Sequence, residues 1–523
     1  MKAIGLIILV TVILGISQTL VYFFNTPKGF FYPLVHNYAE DYYYYLHIMR
    51  QGWEGNILAT SRLTFEVYSS QFVVPFFLIL GTIARVMRLS LPVMYTLARM
   101  LGGATLLGFV TLLIFRVYPD SRVKRIVALL FVAFGTYFWG WGSAGPAVAP
   151  LVHTWTELDP IFRWSYIPHH LWSKVFFIPI LLLLIRPSLS RSRLVSLVCL
   201  TIAMGFTSPV VLSIVVPFLF LWMILECVAA RGTLQSTNAF LVSSAIVLVT
   251  ALFVAIYHRG IQGSVFPWTS YTPWENSMRY PITLAAYGES LGPTVIFFIV
   301  AIVWLLARPV GRMLLAWAVI PVFMIFVLSP IVPLSNTRYL GGYSFIPIGI
   351  GAVQGIWLIA KLGDRFVRTH VLRIFLVVLV LGYSAIGIAA SLKEHLGYVA
   401  QNRYNTLIWV PSDVIDMIGF IARQKDSDCV VAASYTIGTM VPAFTSCRVV
   451  AGHALMTQNQ PDKVKALDHF FLFGDSVFAQ DFLARYRVTY ILVPKSQAPP
   501  PALVTQLHLR LQKENSSIVL YRL

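Results

Sequence analysis

Residues 36–56 read HNYAEDYYYYLHIMRQGWEGN, and they follow an apolar run, residues 3–24, long enough to cross a bilayer. Crossing takes about 20 predominantly apolar residues, and MKAIGLIILVTVILGISQTLVYFF supplies them behind a single lysine. No small-x-small cleavage site follows, so the run reads as an uncleaved first transmembrane helix rather than a signal peptide. An acidic pair, Glu40 and Asp41, therefore stands just outside the membrane, with Tyr42 to Tyr45 directly behind it. Together with His47 and Trp53, these tyrosines form an interface-seeking helix of the aromatic-belt type. A carboxylate at such a surface is partly desolvated, which lifts its pKa towards general-base values. Asp41, and after it Glu40, are the catalytic candidates. The plainer reading is a pair of solvated loop carboxylates.

The rest of the chain is equally apolar. Of 523 residues, 58% are hydrophobic and 11% charged, whereas soluble domains carry about 25% charged residues. The formal charge of +18 sits in short clusters between apolar runs. These clusters make no nucleic-acid motif, so they read as cytoplasmic loops and not as a nucleic-acid surface. The apolar runs 3–24, 92–115, 126–142, 171–185, 194–207, 209–228, 237–257, 291–307, 313–329, 342–360 and 374–390 predict eleven spans. A further run, QFVVPFFLILGTIARVMRLSL (71–91), is too short before Arg85 to cross. With 71–91 left at the interface, the basic loops 116–125, 186–193, 308–312 and 361–373 all fall inside, and residues 391–523 fall outside.

That tail differs in kind. CVVAAS, CRVVAGH, RVTYILVP and SSIVLYRL are short β-branched runs, separated by helical patterns such as SDVIDMIGFIARQ, PDKVKALDHFF and VFAQDFLARY. Ser412 is a possible N-cap. The expected organisation is a polytopic α-helical membrane domain, 1–390, followed by a small exterior α/β domain, 391–523. Cys429 and Cys447 each open a strand; a disulfide and two buried thiols are both compatible with the sequence.

The second external loop holds HTWTELDPIFRWSYIPHHLW (153–172). Glu157 and Asp159, spaced i, i+2, either reach one hard cation such as Mg²⁺ or Mn²⁺ with a third ligand, or form a solvated acidic loop paired with Arg163. His169 and His170 either meet a phosphate or sit at the interface. Arg338, in SPIVPLSNTRYLGG, either snorkels to head groups or grips a phosphate with its fork of donors. GFTSPVVL (205–212) breaks two spans, and FPWTSYTPWENSMRYP brings tryptophans and tyrosines that anchor at an interface or stack on sugars.

The succession of a first span and an external EDYYYYLHIMRQGWEG helix resembles the GT-C membrane glycosyltransferases, such as protein mannosyltransferases and the catalytic subunit of oligosaccharyltransferase. The interfacial 71–91, the FRVYPDSRVKR turn, the arginine of NTRYLGG and the VVAASYTIGTMVPAFTSCRVVAGHALMTQ tail are similar to further parts of that pattern. The resemblance implies transfer of a hexosyl or pentosyl sugar from a polyprenyl-phosphate donor to a hydroxyl of a glycan, lipid or protein, on the outer face of the plasma membrane. It implies Asp41 as the catalytic aspartate, and Asp41, Glu157 and Asp159 around a Mg²⁺ or Mn²⁺ ion. Arg338, His170, Arg163, Tyr44 and His453 are then the substrate and phosphate ligands. No WWDYG motif follows the membrane part, and the order Glu40-Asp41 reverses the mannosyltransferase pattern. The rival reading is a transporter or lipid-carrier flippase, which predicts repeated halves and charges at mid-membrane.

Overall fold

The computed structural model describes residues 2–35, 38–143, 145–229, 234–341, 343–363, 367–424, 426 and 428–523. His36 and Asn37 of the opening stretch, and residues 364–366 of the basic loop 361–373, lie outside the described residues. The first four helices are α1 (Lys2–Phe24), α2 (Ala39–Glu54), α3 (Pro75–Met87) and α4 (Leu91–Val117).

Among the described residues, eight helices are long and apolar enough to span a bilayer. They are α1, α4, Pro168–Ile185, Pro209–Ala229, Asn238–Ser264, Pro309–Leu328, Asn336–Leu362 and Thr369–Gln401. The chain is thus a multi-pass, mainly helical membrane protein. The three other expected spans are shorter or broken. Run 126–142 becomes a 13-residue helix, Arg122–Phe134, started by the Ser121 side chain accepting from the Lys124 amide. Run 194–207 becomes the 17-residue Arg191–Thr207, which stops before Pro209, a residue with no N–H to continue the ladder. Run 291–307 divides at Ala301 into Thr294–Val300 and Ile302–Leu306. Composition predicted these runs to be apolar but not whether their helices stay unbroken.

The chain forms two compact units, Met1–Ser17 with Ala98–His258 and Glu275–Gly397, and Gln18–Leu97 with Arg259–Trp274 and Tyr398–Leu523. The core of the first consists of the buried faces of its spans and holds large rings such as Trp164 and Trp317.

In the second unit, α3 is too short an apolar helix to cross a bilayer on its own. Thirteen helical residues reach about 20 Å, well short of the ~30 Å hydrocarbon core. The helix lies instead against α2, at a contact where both partners are glycines. A Cβ on Gly52 would come within 2.0 Å of the Leu78 carbonyl oxygen, and one on Gly81 within 1.9 Å of that of Met49. The contact therefore needs glycine on both sides. Tyr45 stacks on Phe77 with ring centroids 4.3 Å apart.

The tail carries a five-stranded sheet in the order Arg448–Val449, Val430–Ala432, Tyr490–Pro494, Ile518–Arg522, Arg510–Glu514. The first three strands are parallel and the last two antiparallel. The four β-branched runs of the sequence supply four of these strands. The fifth, RLQKE, is an exposed edge without apolar alternation, and so it carries no strand signal of its own. The first tail helix begins at Ser412 itself, after Pro411, so Ser412 is not its N-cap. Cys429 and Cys447 are joined as a disulfide, with Cα atoms 4.7 Å apart. The unit that holds the sheet also takes in the loop after α1: Phe30–Phe31 pairs antiparallel with Val410–Pro411, and Phe65 packs on the sheet's core.

Candidate functional site

Two groups of polar residues come together, one in each unit. The first forms at the start of α2. Tyr38 occupies the cap position in the left-handed region (φ 47°) and offers no side-chain cap, so Glu40 and Asp41 lie in a first turn with unanswered amides. Carboxylates are favoured there by the helix dipole. The tyrosines behind them hold the helix in place. Tyr42 and Tyr43 are fully buried, and the Tyr43 hydroxyl donates to the Leu407 carbonyl at 2.8 Å.

Each carboxylate has a partner from the tail. The Tyr435 hydroxyl donates to Glu40 Oε2 at 3.0 Å. Burial, followed by the charge of Glu40, raises the Tyr435 pKa, so this donor keeps its proton. His453 Nε2 lies 3.4 Å from Asp41 Oδ1. The Leu455 amide donates to His453 Nδ1 at 3.1 Å, which leaves the ring proton of the neutral imidazole on Nε2, facing Asp41. His453 is 4% exposed and Asp41 40% at its side chain. The aspartate is thus open to a ligand on one side and held by a buried donor on the other. Tyr44 lies beneath, its ring 5.8 Å from that of His453. Burial, with the neighbouring Tyr271, holds its phenol well above the usual range. Tyr44 is therefore a wall of this site.

The second group surrounds Glu157, which is fully buried. Its Oε2 accepts from Lys174 Nζ at 2.9 Å, and His170 Nδ1 lies 3.2 Å from Oε1. Burial works to raise the Glu157 pKa, but Lys174 and His170 outweigh it and hold the group ionised, well below the usual range. Asp159 turns elsewhere. Its Oδ1 accepts from the Ile161 amide at 2.7 Å and its Oδ2 lies 3.4 Å from His395 Nε2. Burial opposes ionisation here too, and His395 overcomes it. Arg163 donates to the carbonyls of Glu157, Gly135 and Leu158 at 3.4, 3.0 and 3.0 Å and lies over the Phe345 ring. Burial lowers its pKa to about 9. Through these carbonyls it ties the loop together, with the charges of Asp159 and Glu157 nearby.

Arg338 is a member of this group and is not a lone arginine. Its Nε and Nη2 meet Glu275 Oε1 at 2.9 and 2.6 Å, and its guanidinium carbon lies 5.5 Å over the Trp155 ring. The segment carrying it runs close to Glu157: a Cβ on Gly341 would come within 2.3 Å of Glu157 Oε2. The indole N–H of Trp155 is buried with no hydrogen-bond partner among the described residues. Of the residues expected from the sequence, this unit therefore brings together Glu157, His170 and Arg338. It adds Lys174, Glu275 and Trp155, which sequence reasoning missed. Lys174 had a signal, a lysine within an apolar span, where an ionisable group calls for a partner.

The expected cation set of Asp41, Glu157 and Asp159 does not fit this arrangement. Among the described residues, no three His, Cys, Asp or Glu side chains group as a cation site. Glu157 already faces an ammonium that a divalent ion would have to displace, and Asp159 faces a histidine.

No protein-family profile matches the chain, and no curated protein matches it in sequence. Solved structures do match. The oligosaccharyltransferase AglB of Archaeoglobus fulgidus, in complex with an inhibitory peptide and a dolichol-phosphate, aligns with a TM-score of 0.56 at 11% identity, over 94% of this chain and 69% of that one. Another structure of an A. fulgidus oligosaccharyltransferase, with Zn and sulfate, gives 0.53 at 13% identity, over 93% and 67%. The mycobacterial arabinofuranosyltransferase AftD gives 0.54 at 14% identity and covers 100% of this chain, which spans 41% of that larger protein. At such identities the likeness is one of fold: this multi-pass chain shares its fold with these oligosaccharyl- and arabinofuranosyltransferases.

Proposed function

We propose that the protein transfers a sugar from a polyprenyl-phosphate-linked donor to an acceptor hydroxyl on the outer face of the membrane. The observation that carries this reading is Asp41, half-exposed on an interfacial helix and oriented by His453, within a GT-C fold. The acceptor oxygen attacks the anomeric carbon as the bond from that carbon to the carrier phosphate breaks. The hydroxyl proton passes to the Asp41 carboxylate, and the carrier leaves as its phosphate monoester with one more negative charge. One displacement inverts the anomeric carbon, and no covalent sugar–enzyme step is required. Within the first unit, Arg338, steadied by Glu275, offers a fork of donors of the kind that suits a phosphate. A carrier is supported by the dolichol-phosphate held by the archaeal enzyme. An outer-face location is supported by the basic loops 116–125, 186–193 and 308–312 and by the Cys429–Cys447 disulfide, which belongs to an oxidising compartment.

The Zn of an A. fulgidus structure keeps a divalent cation in view. Of the expected carboxylates, Glu157 and Asp159 already face Lys174 and His395. The test is release of free polyprenyl phosphate from a panel of sugar-loaded carriers by the purified protein. Release by wild type and not by Asp41→Asn supports the reading. No release by wild type across the panel, with carrier movement across liposomes instead, supports the flippase.

A further inference from the structure

The second unit contains an apolar cavity of about 410 Å³ whose walls include Phe23, Leu91, Val93, Phe444, Trp53 and Arg50. Phe23 is near the carboxyl end of α1 and Leu91 is the first residue of α4. A cavity walled by the ends of two spans lies at head-group depth, where acyl chains and phosphates meet. Arg50 is the one charged residue of this mostly apolar lining, which also holds Tyr32 and Ser90. Arg50 Nε donates to Glu54 Oε1 at 2.9 Å, and its Nη1 and Nη2 make no hydrogen bond among the described residues. Glu54 is also bonded by Arg62 at 2.6 Å, and Arg85 Nη1 reaches the Trp53 carbonyl at 3.4 Å. With Arg50 and Arg62 both on Glu54, the cluster beside the cavity keeps a net positive charge.

We propose that this cavity binds one acyl chain of an anionic phospholipid, with the lipid phosphate on Arg50. The net positive charge around Arg50 selects the head group, and the mostly apolar lining takes the chain. The cavity is distinct from the place of Asp41. Arg50 follows Asp41 by nine residues on α2, which puts it about 14 Å along the axis and about 180° around it. A lipid seated there would brace the α1 end, α2 and the α4 start without entering the reaction. The inference rests on the membrane setting of the chain and not on sugar transfer.

Native mass spectrometry of the full-length protein, extracted in mild detergent and exchanged against phosphatidylglycerol or phosphatidylcholine, tests it. Wild type should retain one phosphatidylglycerol in preference to phosphatidylcholine. Arg50→Gln should lower phosphatidylglycerol retention about tenfold, the effect of losing one charge-assisted hydrogen bond, and phosphatidylcholine retention clearly less. Val93→Trp fills the cavity from a residue already 37% exposed, and should expel both lipids while leaving the melting temperature in lipid-free detergent as in wild type. Retention by Val93→Trp equal to wild type overturns the proposal, as does equal loss of both lipids in Arg50→Gln. Displacement of the lipid by polyprenyl phosphate at lower concentration than by phosphatidylglycerol also overturns it, since the cavity would then belong to the carrier. Transfer activity is not read in any arm, so a failure here is separate from a failure of the proposed reaction.

Discussion

The contact between His453 and Asp41 can be tested by a double-mutant cycle on turnover. Asp41→Asn keeps the shape and removes the proton acceptor, and loss of a positioned base costs about 10² to 10⁴-fold in kcat. His453 does not receive the proton in this reading. Its Nε2–H holds the carboxylate from the buried side, at 3.4 Å. That distance is at the long end for a hydrogen bond, so its contribution belongs at the bottom of the ~1.5–3 kcal/mol range for bonds to charged groups. His453→Ala should then lower kcat about tenfold, equivalent to ~1.4 kcal/mol, with little change in KM for the donor. In the Asp41→Asn background the same change should cost about twofold or less, because residues acting through one another are not additive. Release of polyprenyl phosphate from a labelled donor, followed in nanodiscs, provides the four rates. A tenfold loss from His453→Ala in both backgrounds would refute the positioning role and return His453 to the phosphate-binding role expected from the sequence.

Lys174→Met removes the ammonium bonded to the buried Glu157 carboxylate, and should destabilise by about 3–5 kcal/mol. Adding Glu157→Gln should recover most of the loss, as read by thermal denaturation in detergent. His47 is buried, and burial lowers its pKa from 6.5 to about 4, so between those values the unfolded chain binds a proton that the folded one does not. Stability should therefore fall by about 3 kcal/mol as pH drops from ~6.5 to ~4; a His47→Gln variant with the same acid sensitivity would assign the effect elsewhere. For topology, cysteines placed at the exposed Ser190 and Ser496, with Cys199 and Cys227 replaced by serine, should differ towards an impermeant thiol reagent on intact cells. Only the one at position 496 should label.

By itself the sequence determined those features that follow from what each stretch of chain can bury or solvate. Apolar runs marked a multi-pass protein, 71–91 proved to hold only a 13-residue helix, and β-branched runs marked four of the five strands in the tail. Asp41 stood out as a candidate because a carboxylate beside interfacial tyrosines is partly desolvated. The tertiary structure decided partnership, since charge pairing joins residues that the sequence separates. His453 reaches Asp41 across 412 positions and Arg338 meets Glu275 across 63. Glu157, expected beside Asp159 on a shared cation, turned to Lys174 and His170 because a fully buried carboxylate takes whichever cation the packed helices bring within reach. Local spacing places side chains along an element, and burial selects which of them meet.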